Sequence, residues 1–178
     1  MRRTRSLLSI LTILCLGSFP VVRAAERTLV LDPAQTTIDF QLGATGHEVE
    51  GSFEMIEGSI TFDTESGDVS GTVTVDATGA ETDNKKRDRT MHQKVLESEK
   101  YPQFILKPER MEGVLPESGA GSVSLHGTIL IHGEEHAVSL PVAVDVNGND
   151  LGLKFVLSIP FVEWGMKDPS FLFFRVEK

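Results

Sequence analysis

The residues 132–136 read His132-Gly133-Glu134-Glu135-His136 and match H-x-x-E-H, the inverted spacing of one class of zinc hydrolases. That chemistry needs both imidazoles on one face of a helix, which a four-residue step supplies. The flanks here, Thr128-Ile129-Leu130-Ile131 and Ala137-Val138-Ser139-Leu140, alternate like strands, and Gly133 favours a turn. The spacing therefore predicts an exposed hairpin turn carrying two histidines, able to approach across the hairpin and pick up an adventitious metal. A metal-dependent hydrolase using His132 and His136 is disfavoured by the same flanks. His92 follows Asp88 by four residues, which on a helix makes a face pair. Arg87-Asp88 either orients that helix over a barrel end or contacts a polar ligand head. His47 and His126 stand alone in the sequence.

Other catalytic signatures are missing. There is no G-x-S-x-G elbow, no Walker loop and no G-x-G-x-x-G after a strand. The many acids fall mostly on the wet faces of strands and form no evident acid–base pair. The reading is a protein that is not an enzyme, with no catalytic residue, no metal ligand and no cofactor.

Aromatic usage points elsewhere. Ten phenylalanines stand against one tyrosine and one tryptophan. Phe40, Phe53, Phe62, Phe104 and Phe155 fall on the dry faces of their strands. With Met55, Leu153 and Trp164 they form the expected lining of an apolar interior, suited to a chain-like ligand if side chains do not fill it. Arg87, Asp88, Met91 and His92 are the candidate head-group or lid contacts.

These side chains must be positioned by strands, because period-two alternation dominates. Ile38, Phe40 and Leu42 share a face, as do Val49, Gly51, Phe53 and Met55, with Ile60 and Phe62 following. Val69, Gly71, Val73 and Val75 come after the turn-like Thr64-Glu65-Ser66-Gly67. Val123, Leu125, Ile129 and Ile131 line one later strand, and Val138, Leu140, Val142, Val144 and Val146 the next. Leu151, Leu153, Phe155, Leu157 and Ile159 make a last one, after the turn Asn147-Gly148-Asn149-Asp150. Each reads as a half-buried antiparallel strand. Such strands bury their dry faces as a sandwich or a closed barrel, and pattern does not choose between the two. One stretch breaks the alternation. Residues 83–100 are strongly charged with Met91 and Val95 four apart, which predicts a short amphipathic helix capped by Asp83 or Asn84 and ended by Tyr101-Pro102.

The N-terminal residues predict a compartment. Arg2, Arg3 and Arg5 precede an apolar run from Leu7 to Phe19, and Val22 and Ala24 sit at the −3 and −1 positions before Ala25. Residues 1–24 are thus expected to be a signal peptide, with residues 25–178 one β-barrel domain that is periplasmic or secreted. The only cysteine, Cys15, leaves with the leader, so the mature chain has neither disulfide nor thiolate. The formal net charge is −9, and the leader removes arginines but no acid. An exterior this acidic argues against nucleic acid and anionic membrane surfaces as partners, and no later run is long enough for stable membrane insertion.

Taken in order, several short motifs resemble the YceI-like family, the lipocalin-like polyisoprenoid-binding domains of bacteria. They are Leu31-Asp32-Pro33 with Thr37-Ile38-Asp39-Phe40, then Gly51-Ser52-Phe53 and Gly58-Ser59-Ile60. Arg87-Asp88 followed by Lys100-Tyr101-Pro102, His132-Gly133, and Trp164-Gly165-Met166 complete the set. The resemblance implies an all-β fold, an antiparallel lipocalin-like β-barrel with one short helix in a crossing connection. It further implies an elongated apolar pocket for an isoprenoid, isoprenoid quinone or fatty amphiphile, without catalysis. Members continue past the Trp-Gly-Met element through one more long strand, whereas this chain ends at Lys178. The segment 171–176 is strongly apolar with Phe173 and Phe174 on opposite faces, so a homodimer sealing the seam there is an expectation.

Two function classes follow. In the first, the barrel carries or sequesters an amphiphile; in the alternative, it is a structural or interaction module whose core is filled by side chains. Bound lipid in the purified protein separates them.

Overall fold

A computed structural model describes residues 26–44 and 47–169. The expected leader and the apolar segment 171–176 with its dimer seam lie outside the described residues. Among the described residues eight antiparallel strands form one sheet: β1 (Glu26–Val30), β2 (Ile38–Ala44), β3 (His47–Asp63), β4 (Val69–Glu81), β5 (Gln103–Glu112), β6 (Gly119–Ile131), β7 (Glu134–Asn147) and β8 (Asp150–Lys154). Their order is β1-β3-β4-β5-β6-β7-β8, with β2 also paired to β3. The long β3 is the spine. Its first half holds β2, with Phe40 opposite Gly51, and its second half holds β1, with Leu29 opposite Ile60. The sheet curls into a nearly closed barrel, and its two end strands do not pair with each other among the described residues.

The alternation translates directly into burial. Along β7, Leu140, Val142 and Val144 are buried while Ser139, Pro141, Ala143 and Asp145 are exposed. Across β6 and β7, Val123 faces Val142 and Leu125 faces Leu140. In β3 the dry face changes parity, from Val49 and Met55 to Ile60 and Phe62. The register shift between Met55 and Glu57 accounts for this and leaves Ile56 45% exposed. A bulge adds a residue to one strand and bends it, which is how a flat sheet acquires the curvature of a barrel.

The connection from β4 to β5 holds the helix. Asn84 caps it, its side-chain oxygen accepting from the backbone N–H groups of Lys86 and Arg87 at 3.0 and 3.1 Å. The helix α1 (Lys85–Thr90) runs into a π-helical turn, Met91–Val95. It ends at Leu96 rather than at Tyr101-Pro102, because Glu97 turns into the left-handed region with φ 45°. A second correction concerns the last strand. The expected run to Ile159 stops at Lys154, and beyond it Phe155 and Val156 are exposed.

Candidate ligand-binding site

The register places three features at one end of the barrel: the β2–β3–β4 junction, α1, and the β6–β7 turn. Below them, among the described residues, the buried set is apolar apart from Thr74 and Ser98. Such a core offers few polar atoms with which to orient a hydrophilic ligand, and apolar chain surface that it takes from water is favourable.

A cleft of about 460 Å³ opens at the β2–β3–β4 junction. Phe40 and Gly51 line it, together with Gln41, Ser52, Thr82 and the carboxylates of Asp39, Glu50, Glu81 and Asp83. Gly51 is required by its neighbours, since a Cβ there would collide with the Phe40 ring and the carbonyl of Glu81. The ring so admitted starts a series. Phe40 and Phe53 have centroids 5.0 Å apart, and Phe53 meets Phe104 edge-on at 5.4 Å. Both spacings lie in the favourable range for offset and edge-to-face rings. Phe104 belongs to the buried cluster with Phe62, Leu106 and Ile131. Three rings thus lead from the cleft into the apolar core.

The helical segment covers this end. Met91 and Val95 pack against the core cluster. The Asp88 carboxylate accepts from the Thr82 backbone N–H at 2.9 Å and from its hydroxyl at 2.5 Å, and Arg87 Nε donates to the same hydroxyl at 2.9 Å. Thr82, just past the end of β4, is therefore clamped by the helix's own residues Arg87 and Asp88. His92 does not pair with Asp88 as the four-residue step suggested. Asp88 is engaged with Thr82, and the His92 ring instead bridges the Ala80 carbonyl (2.8 Å from Nε2) and the Ser98 hydroxyl (2.9 Å from Nδ1). A carbonyl only accepts, so Nε2 carries the proton, and in the neutral ring Nδ1 accepts from Ser98.

The β6–β7 turn departs furthest from expectation. His132 and His136 are not exposed turn residues. The His132 side chain is 11% exposed, and its Nε2 lies 3.0 Å from a Glu97 carboxylate oxygen. Its ring packs on Tyr101 at 4.3 Å, and Gly133 (φ 84°) lets the Tyr101 ring come close, where a Cβ would crowd it. His136 stacks on Trp164 at 4.1 Å and 3°, and its buried Nε2 has no hydrogen-bond partner. Glu97 and His132 are the two non-glycine residues with positive φ among the described residues. Each left-handed position costs free energy that its surroundings must offset, and here the two are bonded to each other. No group of three or more metal-ligating side chains comes together among the described residues.

Of the expected lining, Phe40, Phe53 and Phe104 come together, and Met55 and Phe62 are buried. Trp164 packs at the edge of the core. Leu153 and Phe155 stand apart from these, 38% and 44% exposed at and beyond the short β8, so Phe155 is not on a dry face. Of the expected head-group or lid contacts, Met91 packs on the core, while Arg87, Asp88 and His92 are engaged within the cover. Thr82, Glu97, Ser98 and Tyr101 were not singled out for these contacts. Their partners lie 5 to 35 residues away, and no local pattern marks such pairs.

A curled antiparallel sheet with an apolar interior and a helix over one end defines the class of small lipocalin-like barrels. The family model described as the YceI-like domain matches residues 29–176, and the chain belongs to that family. Among solved structures, the fold is similar to Burkholderia cenocepacia BcnA at 21% identity and a TM-score of 0.63, covering 76% of this chain and 84% of that one. It is also similar to a polyisoprenoid binding domain from Saccharophagus degradans, implicated in plant cell wall breakdown. There the identity is 16% and the TM-score 0.51, covering 69% of this chain and 68% of that one. No curated protein sequence matches the chain.

Proposed function

We propose that the protein is a non-catalytic carrier or sequestering protein that holds the chain of an isoprenoid, isoprenoid quinone or fatty amphiphile in its barrel. The observation that carries this reading is the run of contacting rings, Phe40, Phe53 and Phe104, between the cleft and the apolar core. An aromatic path suits a flexible, unsaturated or branched chain because rings offer broad contact without demanding hydrogen bonds. The polyisoprenoid-binding description of the similar Saccharophagus degradans domain supports the same ligand class. In this reading residues 1–24 are a cleaved leader, and the protein acts in the periplasm or outside the cell.

Phe53 provides the test, because it sits between the other two rings. In Phe53→Trp the larger side chain takes space along the path. A fluorescent polyene fatty acid should bind the wild type saturably at one site and bind the variant at least tenfold more weakly, with both proteins folded. A filled core gives the opposite pattern: no saturable binding to the wild type, and a variant destabilised by about 1–3 kcal/mol through overpacking.

A further inference from the structure

We propose that the outward face of α1 and its π-helical extension is a docking surface for an anionic lipid bilayer. Between residues 85 and 94, Lys85, Lys86, Arg89, Gln93 and Lys94 are exposed, whereas Arg87, Asp88, Met91 and His92 are partly buried. Steps of three and four residues put the exposed set on one side. That side carries four cations and no anion. The single acid of the segment, Asp88, is turned inward onto Thr82, and none of the four cations has an ion-pair partner among the described residues.

The overall acidity of the chain, −9, opposes such a contact. Distance decides the outcome. Exposed charges farther apart than about 8 Å are largely screened at physiological ionic strength, so an approaching surface responds to the nearest face. The net negative charge of the rest of the chain then favours approach through this face. In the sequence the nearest acids are Asp83 before the helix and Glu97 and Glu99 after it, and Glu97 is turned onto His132 at 3.0 Å.

A bilayer fits this face better than a nucleic acid or an acidic protein. The patch is the outer side of one short element, and residues 83–100 contain no Phe, Tyr or Trp on which a base could stack, the His92 ring being turned inward onto Ala80 and Ser98. Its inner side, through Met91 and Val95, rests on the apolar core. The element that would touch the lipid surface is thus the cover of the interior. Clusters of lysine and arginine on an amphipathic helix are a recurrent means of holding anionic lipid surfaces. The inference stands independently of what the barrel holds.

The test is co-sedimentation of the purified protein with vesicles of phosphatidylglycerol and phosphatidylcholine, against vesicles of phosphatidylcholine alone. Binding is expected only to the anionic vesicles, falling on the order of tenfold between low and physiological salt. Lys85→Glu with Lys86→Glu, and separately Arg89→Glu with Lys94→Glu, should each remove it while leaving thermal unfolding unchanged. The milder Lys85→Gln with Lys86→Gln pair should weaken it, and serves if a charge reversal perturbs the helix. Lys154→Glu, on β8, should have no effect. Equal binding to both vesicle types, or binding that survives charge reversal, overturns the proposal. Retention on immobilised polyglutamate without retention on vesicles also overturns it, in favour of an acidic protein partner.

Discussion

His132 shows how far a side chain can be from the environment its neighbours imply. In a Gly- and Glu-rich turn it would be solvated, and its removal would change stability by less than about 0.5 kcal/mol. Instead it joins Glu97 at 3.0 Å with both backbones left-handed. His132→Ala leaves a partly buried carboxylate without its partner, so a loss of about 1–3 kcal/mol is expected in chemical denaturation. A loss under about 0.5 kcal/mol would return His132 to the role of a plain turn residue. The sequence marked the His-Gly turn correctly but not its packing, because the partner lies 35 residues away and hydrophobicity patterns carry no information about such pairs. Asp76 supplies a second residue-level test. The Thr78 hydroxyl, chiefly, with the backbone N–H groups of Thr78 and Gly79, holds its carboxyl below the usual 3.8 against an opposing effect of burial. A lowered folded-state pKa stabilises the protein above the ordinary value, and this stabilisation is lost as the pH falls through the folded-state value. Asp76→Asn should therefore be slightly less stable than wild type at pH 7, by less than about 1 kcal/mol because solvent screens this partly exposed carboxylate. The gap should close as the pH is taken below 3.8; a gap independent of pH would mean that the charge plays no part.

Among elements, the cover is the one whose attachment is polar and local. Its inner side gives the core Met91 and Val95, and the rest of its anchorage is the Thr82 brace to Arg87 and Asp88 and the His92 bridge to Ala80 and Ser98. Thr82→Val removes the hydroxyl that both Arg87 and Asp88 use. Amide exchange across residues 85–95 should then accelerate by an order of magnitude or more, corresponding to about 1.4 kcal/mol, while β6 and β7 keep their protection. Uniform acceleration over the whole sheet would instead make Thr82 part of the global core. The strands were the legible elements, since inward Val, Leu and Ile at alternate positions reveal a face without knowledge of the partner. Where the backbone leaves ideal geometry, legibility failed. Nothing local announces the β3 bulge at Ile56 that moves the dry face from Met55 to Ile60, the π-helical turn at Met91–Val95, or the end of β8 at Lys154. The four-residue spacing of Asp88 and His92 assumed a free helix surface, and tertiary contacts at Thr82 and Ala80 redirected both side chains.

The whole molecule combines an acidic exterior, an apolar interior and one basic outer face on its cover. The first two were readable from composition and alternation, and the resemblance carried by motifs such as Gly51-Ser52-Phe53 and Trp164-Gly165-Met166 gave the family. The third was hidden by the net charge, because a sum over the chain erases where Lys85, Lys86, Arg89 and Lys94 stand. The cleft at Phe40 was legible only in part: the rings could be assigned to dry faces, but their contact at 5.0 and 5.4 Å depends on strand register. The central claim is that the interior holds an amphiphile, and what the purified protein retains tests it most directly. The protein should be purified without detergent after export from a bacterial host, extracted with organic solvent, and the extract quantified by mass spectrometry. About one equivalent of an isoprenoid or fatty amphiphile per chain is expected from the wild type and markedly less from Phe53→Trp. A wild-type extract with no stoichiometric lipid, from protein that also fails to take up added isoprenoid, would contradict the account and leave a barrel filled by its own side chains.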